Sequence, residues 1–207
     1  MTIIRGFAAA CAAALLATAA FTPAMAQEDG RLRGEVEKLS GNDLTVKTAE
    51  GKTVQVALEP DYTVTHAVNV KLADIKPGSF VGVGALPAPN PDGSEGMKAV
   101  QVVVFPPTSK ATERHGPWNS DPNGSMTNAP ATQIVAGQKD GKLTLTTGGK
   151  DYVIAVPPEA PIVTTVPGSK DMLKPGAWIG ISALTNANGK YSAKAVTVSD
   201  DRRYPAR

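Results

Sequence analysis

Apolar and polar residues alternate in short runs along most of this chain. Residues 44–48 and 54–58 alternate with a period of two, and turn-forming Gly, Asn and Glu residues lie around them. This period is typical of β-strands with one buried face. In the first half the pattern predicts strands that begin near Val36 and at residues 44, 54, 63, 80 and 98, with one helical turn at 73–75. In the second half it predicts strands over residues 134–138, 143–147, 152–156, 162–165, 178–184 and 193–198.

One segment of the chain occurs twice. Residues 76–86 have the sequence KPGSFVGVGAL and residues 174–184 have the sequence KPGAWIGISAL, so the copies lie 98 residues apart. Each Lys-Pro-Gly suits a type II turn, with Gly at the position that needs a positive φ. Repetition at this spacing indicates a duplicated structural unit. We therefore predict an all-β protein with a first domain over residues 27–105 and a second over 132–199.

The strand that follows each turn has a distinctive alternation. In the first copy Val81 and Val83 alternate with Gly82 and Gly84. We predict that the branched side chains point into the core. The glycines then lie on the other face, where a strongly bent strand can coil without side-chain clashes.

The two copies share short motifs at corresponding places. In the first copy these are Gly34-Glu35-Val36, Leu44-Thr45-Val46, Ile75-Lys76-Pro77-Gly78 and Ala99-Val100; in the second they are Leu143-Thr144-Leu145, Leu173-Lys174-Pro175-Gly176 and Ala195-Val196. The second copy lacks the leading Gly-x-Val. The set resembles an uncharacterised family of small exported β-barrel domains, which is similar in turn to OB-like barrels. The resemblance implies two tandem antiparallel OB-like β-barrels, and this family has no assigned catalytic residues to transfer.

Residues 106–131 separate the copies and contain five prolines. We call this segment the strap. It shows no strand periodicity, so we predict a long Pro-rich connection without secondary structure. Because a flexible spacer normally carries no tryptophan, we expect Trp118 to anchor the strap against a barrel or a partner.

The first 26 residues have the three parts of a secretory signal peptide. Arg5 precedes an Ala- and Leu-rich run, Pro23 follows it, and Ala24-Met25-Ala26 presents small residues for cleavage after Ala26. We therefore predict a periplasmic protein. Cleavage would remove Cys11, the one cysteine, and would leave no disulfide and no thiolate nucleophile.

Charge and hydropathy narrow the range of partners. The formal net charge of +2 falls to +1 when Arg5 is removed. This balance gives no electrostatic reason to expect nucleic acid or an anionic membrane as a partner. No later run is apolar enough to span a bilayer, so we expect no membrane span after cleavage.

Candidate metal and catalytic groups are scattered. The histidines and methionines after residue 26 are His66, His115, Met97, Met126 and Met172, and none has a ligand spacing. His115 with Met126 is the pair to test for copper, which soft ligands favour. No nucleophile motif is present. The adjacent Asp200 and Asp201 belong to residues 200–207, which we expect to be a solvated tail. We predict no enzyme activity, no cofactor and no metal.

Three side chains of the strap have no duplicated counterpart: Arg114, His115 and Trp118. Arg can bind carboxylate or phosphate, His titrates near neutral pH, and Trp offers an apolar face. We predict that these residues and the seam between the barrels form a composite binding surface. The function expected is a non-enzymatic periplasmic binding or interaction module for an unknown protein or small molecule. The alternatives are a structural or envelope-maintenance protein and a weak copper-binding accessory protein.

Overall fold

The computed structural model describes residues 30–90, 92–109, 111–137, 141–187 and 189–205. The predicted signal peptide, its cleavage site after Ala26 and Cys11 lie outside the described residues. Gln138, the predicted end of one strand, also lies outside them.

The described chain is all-β, as the alternation predicts. Its strands are β1 (Leu32–Ser40), β2 (Asp43–Thr48), β3 (Thr53–Asn69), β4 (Phe80–Pro87), β5 (Met97–Val104), β6 (Arg114–Trp118), β7 (Asp121–Val135), β8 (Gly141–Thr147), β9 (Lys150–Val156), β10 (Ile162–Pro167), β11 (Trp178–Ile181), β12 (Leu184–Ala187) and β13 (Lys190–Ser199). The helical elements of the described residues are two short 3₁₀ turns, Leu72–Asp74 and Lys170–Met172. Each of these turns lies just before a Lys-Pro-Gly sequence.

Both Lys-Pro-Gly sequences form the predicted tight turn. The Ser79 amide donates a hydrogen bond to the Lys76 carbonyl at 2.9 Å. In the second copy the Ala177 amide donates to the Lys174 carbonyl at 3.0 Å. The intervening glycines have φ values of 86° and 88°, a region that favours glycine. The turns therefore set the start of β4 and of β11 in the same way.

The strand pairings form two rings. Ring A follows the order β1, β2, β3, β13, β11 and returns to β1. Ring B follows the order β7, β8, β9, β5, β4 and returns to β7. In each ring one neighbouring pair is parallel, β3 with β13 and β9 with β5, and the others are antiparallel. Ring B is closed between β5 and β9 by one residue pair, Lys98 opposite Ala155.

Each ring combines strands from both copies of the sequence. The hydrophobic cluster inside ring A includes Leu44 and Val56 from the first copy with Ile179 and Val196 from the second. The cluster inside ring B joins residues between 75 and 102 to residues between 129 and 160. Each of the two clusters therefore joins residues from both of the predicted domains, 27–105 and 132–199.

The long strand β3 runs from ring A to the neighbouring β10. The pattern predicts two strands, over 54–58 and 63–70, but the structure has a single strand of 17 residues. Its first part pairs with β2 and β13 in ring A, and its end pairs with β10. After β3 the chain turns twice and enters β4 and β5 of ring B.

The two rings meet at a seam, where β10 pairs with β3 of ring A and with β5 of ring B. Ala67 on β3 faces Thr165 on β10, which lies 98 residues further along the chain. A small cluster of Ala67, Val103 and Val163 lies at the seam, with Phe105 and Tyr204 packed against it. Apolar packing therefore covers part of the seam.

The structure of the strap differs from the prediction. Residues 106–131 were expected to lack secondary structure, but they contain β6 and most of β7. The alternation in β7 is carried by Thr127, Ala129 and Ala131, all fully buried. Because alanine is small and threonine is polar, this alternation is not visible as a pattern of hydrophobic residues in the sequence. Pro117 lies on β6, which pairs with β7 alone among the described strands, and edge strands are where sheets accommodate proline.

Candidate binding site

Trp118 anchors the strap. Its side chain is 2% exposed. The indole lies against two glycines: a Cβ placed on Gly84 would come within 2.7 Å of the Trp118 ring, and one on Gly124 within 2.9 Å. The indole N–H is buried and has no hydrogen-bond partner within the described structure. Gly84 was expected to allow strand coiling, and the structure shows that its missing side chain also makes room for this ring.

His115 lies at the edge of the hydrophobic cluster of ring B, beside Tyr152, which packs against that cluster. Its Nδ1 is 2.9 Å from the hydroxyl of the buried Thr127, and its ring stacks on Tyr152 with centroids 4.0 Å apart. Burial lowers the pKa of His115, and the nearby Lys150 ammonium lowers it further. Both effects favour the neutral imidazole. These contacts fix the ring and occupy one of its faces.

A cavity of about 860 Å³ lies between ring A and ring B; we call it the seam cavity. Of the three predicted binding residues, Arg114 lines it and the other two do not. Successive strand residues point to opposite faces, so Arg114 faces the cavity while His115 faces Tyr152. The structure thus separates the three residues that were predicted to act together.

The lining of the seam cavity comes from both copies, the strap and the C-terminal segment. Its apolar side chains are Leu32, Val103, Phe105, Met126, Ile181 and Tyr204, and its polar and charged ones are Arg31, Arg33, Glu50, Gln101, Arg114, Asn119, Ser120, Asn128, Ser182 and Thr197. Cavities of a few hundred to a thousand Å³ that combine apolar surface with polar groups are typical small-molecule sites. The arrangement suits a molecule with an apolar part and a polar head.

Two glycines of the repeated segment lie in this cavity wall, and residues from other parts of the chain lie directly over them. A Cβ on Gly82 would come within 2.9 Å of the Phe105 ring, and one on Gly180 within 2.6 Å of Pro205. The positions correspond in the two copies. Sequence reasoning missed Phe105 and Pro205 as wall residues, because the contact forms only when distant segments meet across the seam.

The copper hypothesis finds no support in the geometry. Met126 lines the seam cavity and pairs with Gly116, whereas His115 pairs with Thr127. The alternation of strand positions therefore places the two predicted ligands on opposite faces of the β6–β7 ladder. Among the described residues no three His, Cys, Asp or Glu side chains form a group that could hold a metal ion.

The C-terminal segment closes one side of the seam cavity. Residues 200–207 were expected to be a solvated tail. In the structure Asp200, Arg202 and Arg203 are exposed, but Asp201 is buried and Tyr204 and Pro205 are partly buried. The Trp178 indole donates to the Tyr204 carbonyl at 3.0 Å. Asp201 is 9% exposed, and its carboxylate accepts hydrogen bonds from the Arg203 side chain at 2.6 to 3.1 Å. These contacts hold Tyr204 and Pro205 in the cavity wall.

The bonds to Arg203 hold the pKa of Asp201 below its ordinary value of 3.8. A carboxylate with a lowered folded-state pKa stabilises the fold above its unfolded pKa, and this contribution is lost as the pH falls through the folded value. We expect Asp201→Asn to lower the free energy of unfolding by about 1 kcal/mol near neutral pH. The deficit should shrink below pH 3.8. Urea unfolding near neutral pH and near pH 3 measures the difference, since Asn cannot titrate.

The control for this experiment is Asp61→Asn, an exposed aspartate on β3. It should change the unfolding free energy by less than about 0.5 kcal/mol at either pH. A deficit of Asp201→Asn that persists unchanged in acid would contradict the role given to the ionised carboxylate.

Comparisons with known proteins find no match. No protein-family model matches the chain, no curated protein matches it, and no solved structure matches it. Within the part of the chain that the structure describes, no helix has the length and apolar character required to cross a membrane.

Proposed function

We propose that this protein is an exported, non-enzymatic binding protein whose ligand site is the seam cavity. The observation that carries the proposal is the origin of the cavity wall. Strands of ring A, strands of ring B, the strap and the C-terminal segment all contribute to one space of about 860 Å³. Sites for small molecules occur preferentially where two structural units meet.

The polar groups in the wall favour binding over a purely structural role. A junction that only held two units together would be best packed without voids, since a cavity removes contacts from its lining. Here apolar packing at the seam is limited to a small cluster around Val103 and Val163. Beside it, polar side chains such as Asn128 and Arg114 face open space.

We also propose that each ring is a small OB-like barrel, and that the two copies have exchanged halves. The rings have the same strand order and the same position for the parallel pair. On the β3–β10 ladder, Ala67 faces Thr165, its counterpart at the 98-residue spacing of the repeat. A ladder with this self-matching register is what a pseudo-twofold exchange would produce. The membership of the exported family suggested by the motifs stays part of this proposal.

A cavity-blocking variant tests the binding function. Ser182 lies in the cavity wall and is exposed, so Ser182→Trp should fill the space with little cost to the fold, below about 0.5 kcal/mol. The neighbouring Ala183 is exposed and is not a wall residue, so Ala183→Trp is the matched control. We expect compounds that raise the melting temperature of the unaltered protein to have no effect on Ser182→Trp and full effect on Ala183→Trp.

The measurement is a thermal-shift screen of small molecules, followed by mass spectrometry of what co-purifies from the periplasm. Equal responses in Ser182→Trp and the unaltered protein would place binding outside the seam cavity. If no compound shifts the unaltered protein and nothing co-purifies, the binding function itself is contradicted.

A further inference from the structure

The charges of the seam cavity are strongly biased. Three arginines line it, Arg31, Arg33 and Arg114, against one acid, Glu50. These arginines come from β1, from the residue just before it and from β6, so the chain assembles them from two distant segments. For a protein with a formal net charge of only +2, this is a local concentration of positive charge.

The three guanidinium groups differ in whether they already have a hydrogen-bond or ion-pair partner in the protein. The Arg33 guanidinium lies 3.8 Å from the Glu50 carboxylate, and the Arg31 guanidinium donates to the Ser120 hydroxyl at 2.9 Å. Arg114 is exposed and has no hydrogen-bond or ion-pair partner within the described structure. Arg31 thus ties ring A to the turn after β6, while Arg114 keeps its donors for another molecule.

The environment favours a strong interaction with a bound anion. A guanidinium presents donors in a planar fork that matches carboxylate and phosphate oxygens. In a partly enclosed cavity such a pair is screened by water and salt less than on an open surface. Asn128 on β7 pairs with Arg114, and its side chain lines the same cavity. The side-chain amide adds a neutral hydrogen-bond donor beside the cation.

The apolar part of the cavity wall indicates the chemistry of the rest of the ligand. Phe105, Met126 and Ile181 line the same cavity, and Tyr204 is partly buried at its edge. An inorganic ion alone would leave this apolar surface facing water. An apolar body attached to the anionic head would bury it.

Resting on the proposed binding function, we infer that the ligand of the seam cavity is a small organic anion. Its carboxylate or phosphate head binds Arg114, with Arg31 and Arg33 supplying further positive charge. Its apolar body packs on Phe105 and Met126. The two head groups share the chemistry that the arginines recognise.

The test compares three eight-carbon probes by isothermal calorimetry: octanoate, octyl phosphate and the neutral 1-octanol. We expect at least one anion to bind saturably with a Kd of about 1 mM or lower, at least about tenfold more tightly than octanol. Arg114→Gln should weaken that anion by about tenfold or more, and binding should weaken as salt is raised. The stronger of the two anions identifies the head group. Inorganic phosphate is the probe for a site that needs no apolar body.

The control variant is Lys142→Gln, which removes one positive charge at an exposed position outside the cavity wall. It should leave anion binding unchanged, because the effect of Arg114 is local. An equal loss in both variants would mean that net charge alone attracts the anion and would overturn the inference.

Other outcomes separate this inference from the proposed function. If octanol binds as tightly as the anions and Arg114→Gln has no effect, while Ser182→Trp still blocks binding, the anionic class is wrong and the cavity remains the binding site. If the anions bind equally to Ser182→Trp, they bind elsewhere and the inference fails. Tight binding of inorganic phosphate equal to that of octyl phosphate overturns the role of the apolar wall. If no anion binds, the inference is wrong, and the thermal-shift screen decides the binding function independently.

Discussion

Replacing Trp118 by alanine should destabilise the protein by about 3–5 kcal/mol. The indole is 2% exposed and fills the space over Gly84 and Gly124, two residues without side chains. Neither glycine can move a side chain into the gap, so the cavity left by the change would collapse poorly. Urea unfolding measures the loss. Limited proteolysis should show faster cleavage within residues 111–125, because β6 pairs with β7 alone among the described strands and Trp118 is its buried side chain.

Trp118→Phe separates apolar packing from hydrogen bonding. Phenylalanine keeps much of the buried area and removes an indole N–H that has no partner in the described structure. Since an unsatisfied buried donor costs about 1–3 kcal/mol, its removal offsets part of the lost packing. We expect Trp118→Phe to cost less than about 1.5 kcal/mol. A loss as large as that of the alanine variant would mean that the indole N–H does have a partner, such as bound water.

A second large effect is expected at Gly34, the first residue of the Gly-Glu-Val motif. Gly34 pairs with Thr48 on β2 and with Ile179 on β11, so it lies between two neighbours in ring A. A Cβ on Gly34 would collide with the Lys47 carbonyl and come within 2.8 Å of Val46. Because the colliding atom is backbone, relief requires the β1–β2 ladder to open. Gly34→Ala should therefore cost about 3 kcal/mol, measured by chemical unfolding.

Gly116→Ala is the matched control for this change. Gly116 is also a strand glycine, on β6, and a Cβ there would have no atom within 4 Å. Its substitution should change the unfolding free energy by less than about 0.5 kcal/mol. Equal effects at both glycines would show that strand flexibility, and not the close approach of β1 to β2, determines the cost.

The positions of the strands follow largely from local chemistry. Alternating valines and leucines mark β2 and β8, and the predicted turns mark the starts of β4 and β11. These features depend on neighbours within a few residues, which the sequence displays directly. The strap was missed because the buried positions of β7 carry Ala and Thr, whose burial depends on contacts with β4 across the ladder.

The seam cavity exists because strands that are distant in the sequence pair with one another. The sequence by itself determined an all-β chain, the two Lys-Pro-Gly turns and the unusual side chains of the strap, among them Arg114 in the cavity wall and Trp118 in the interior. It did not show which distant strands pair, because several pairings satisfy the same alternation. In the structure β3 pairs with β2 and β13 in ring A and, at its end, with β10 at the seam. In this arrangement Arg31 and Arg33 line the same space as Arg114. Strand alternation is a local property, whereas the meeting of residues more than 80 positions apart depends on which faces the folded chain buries together.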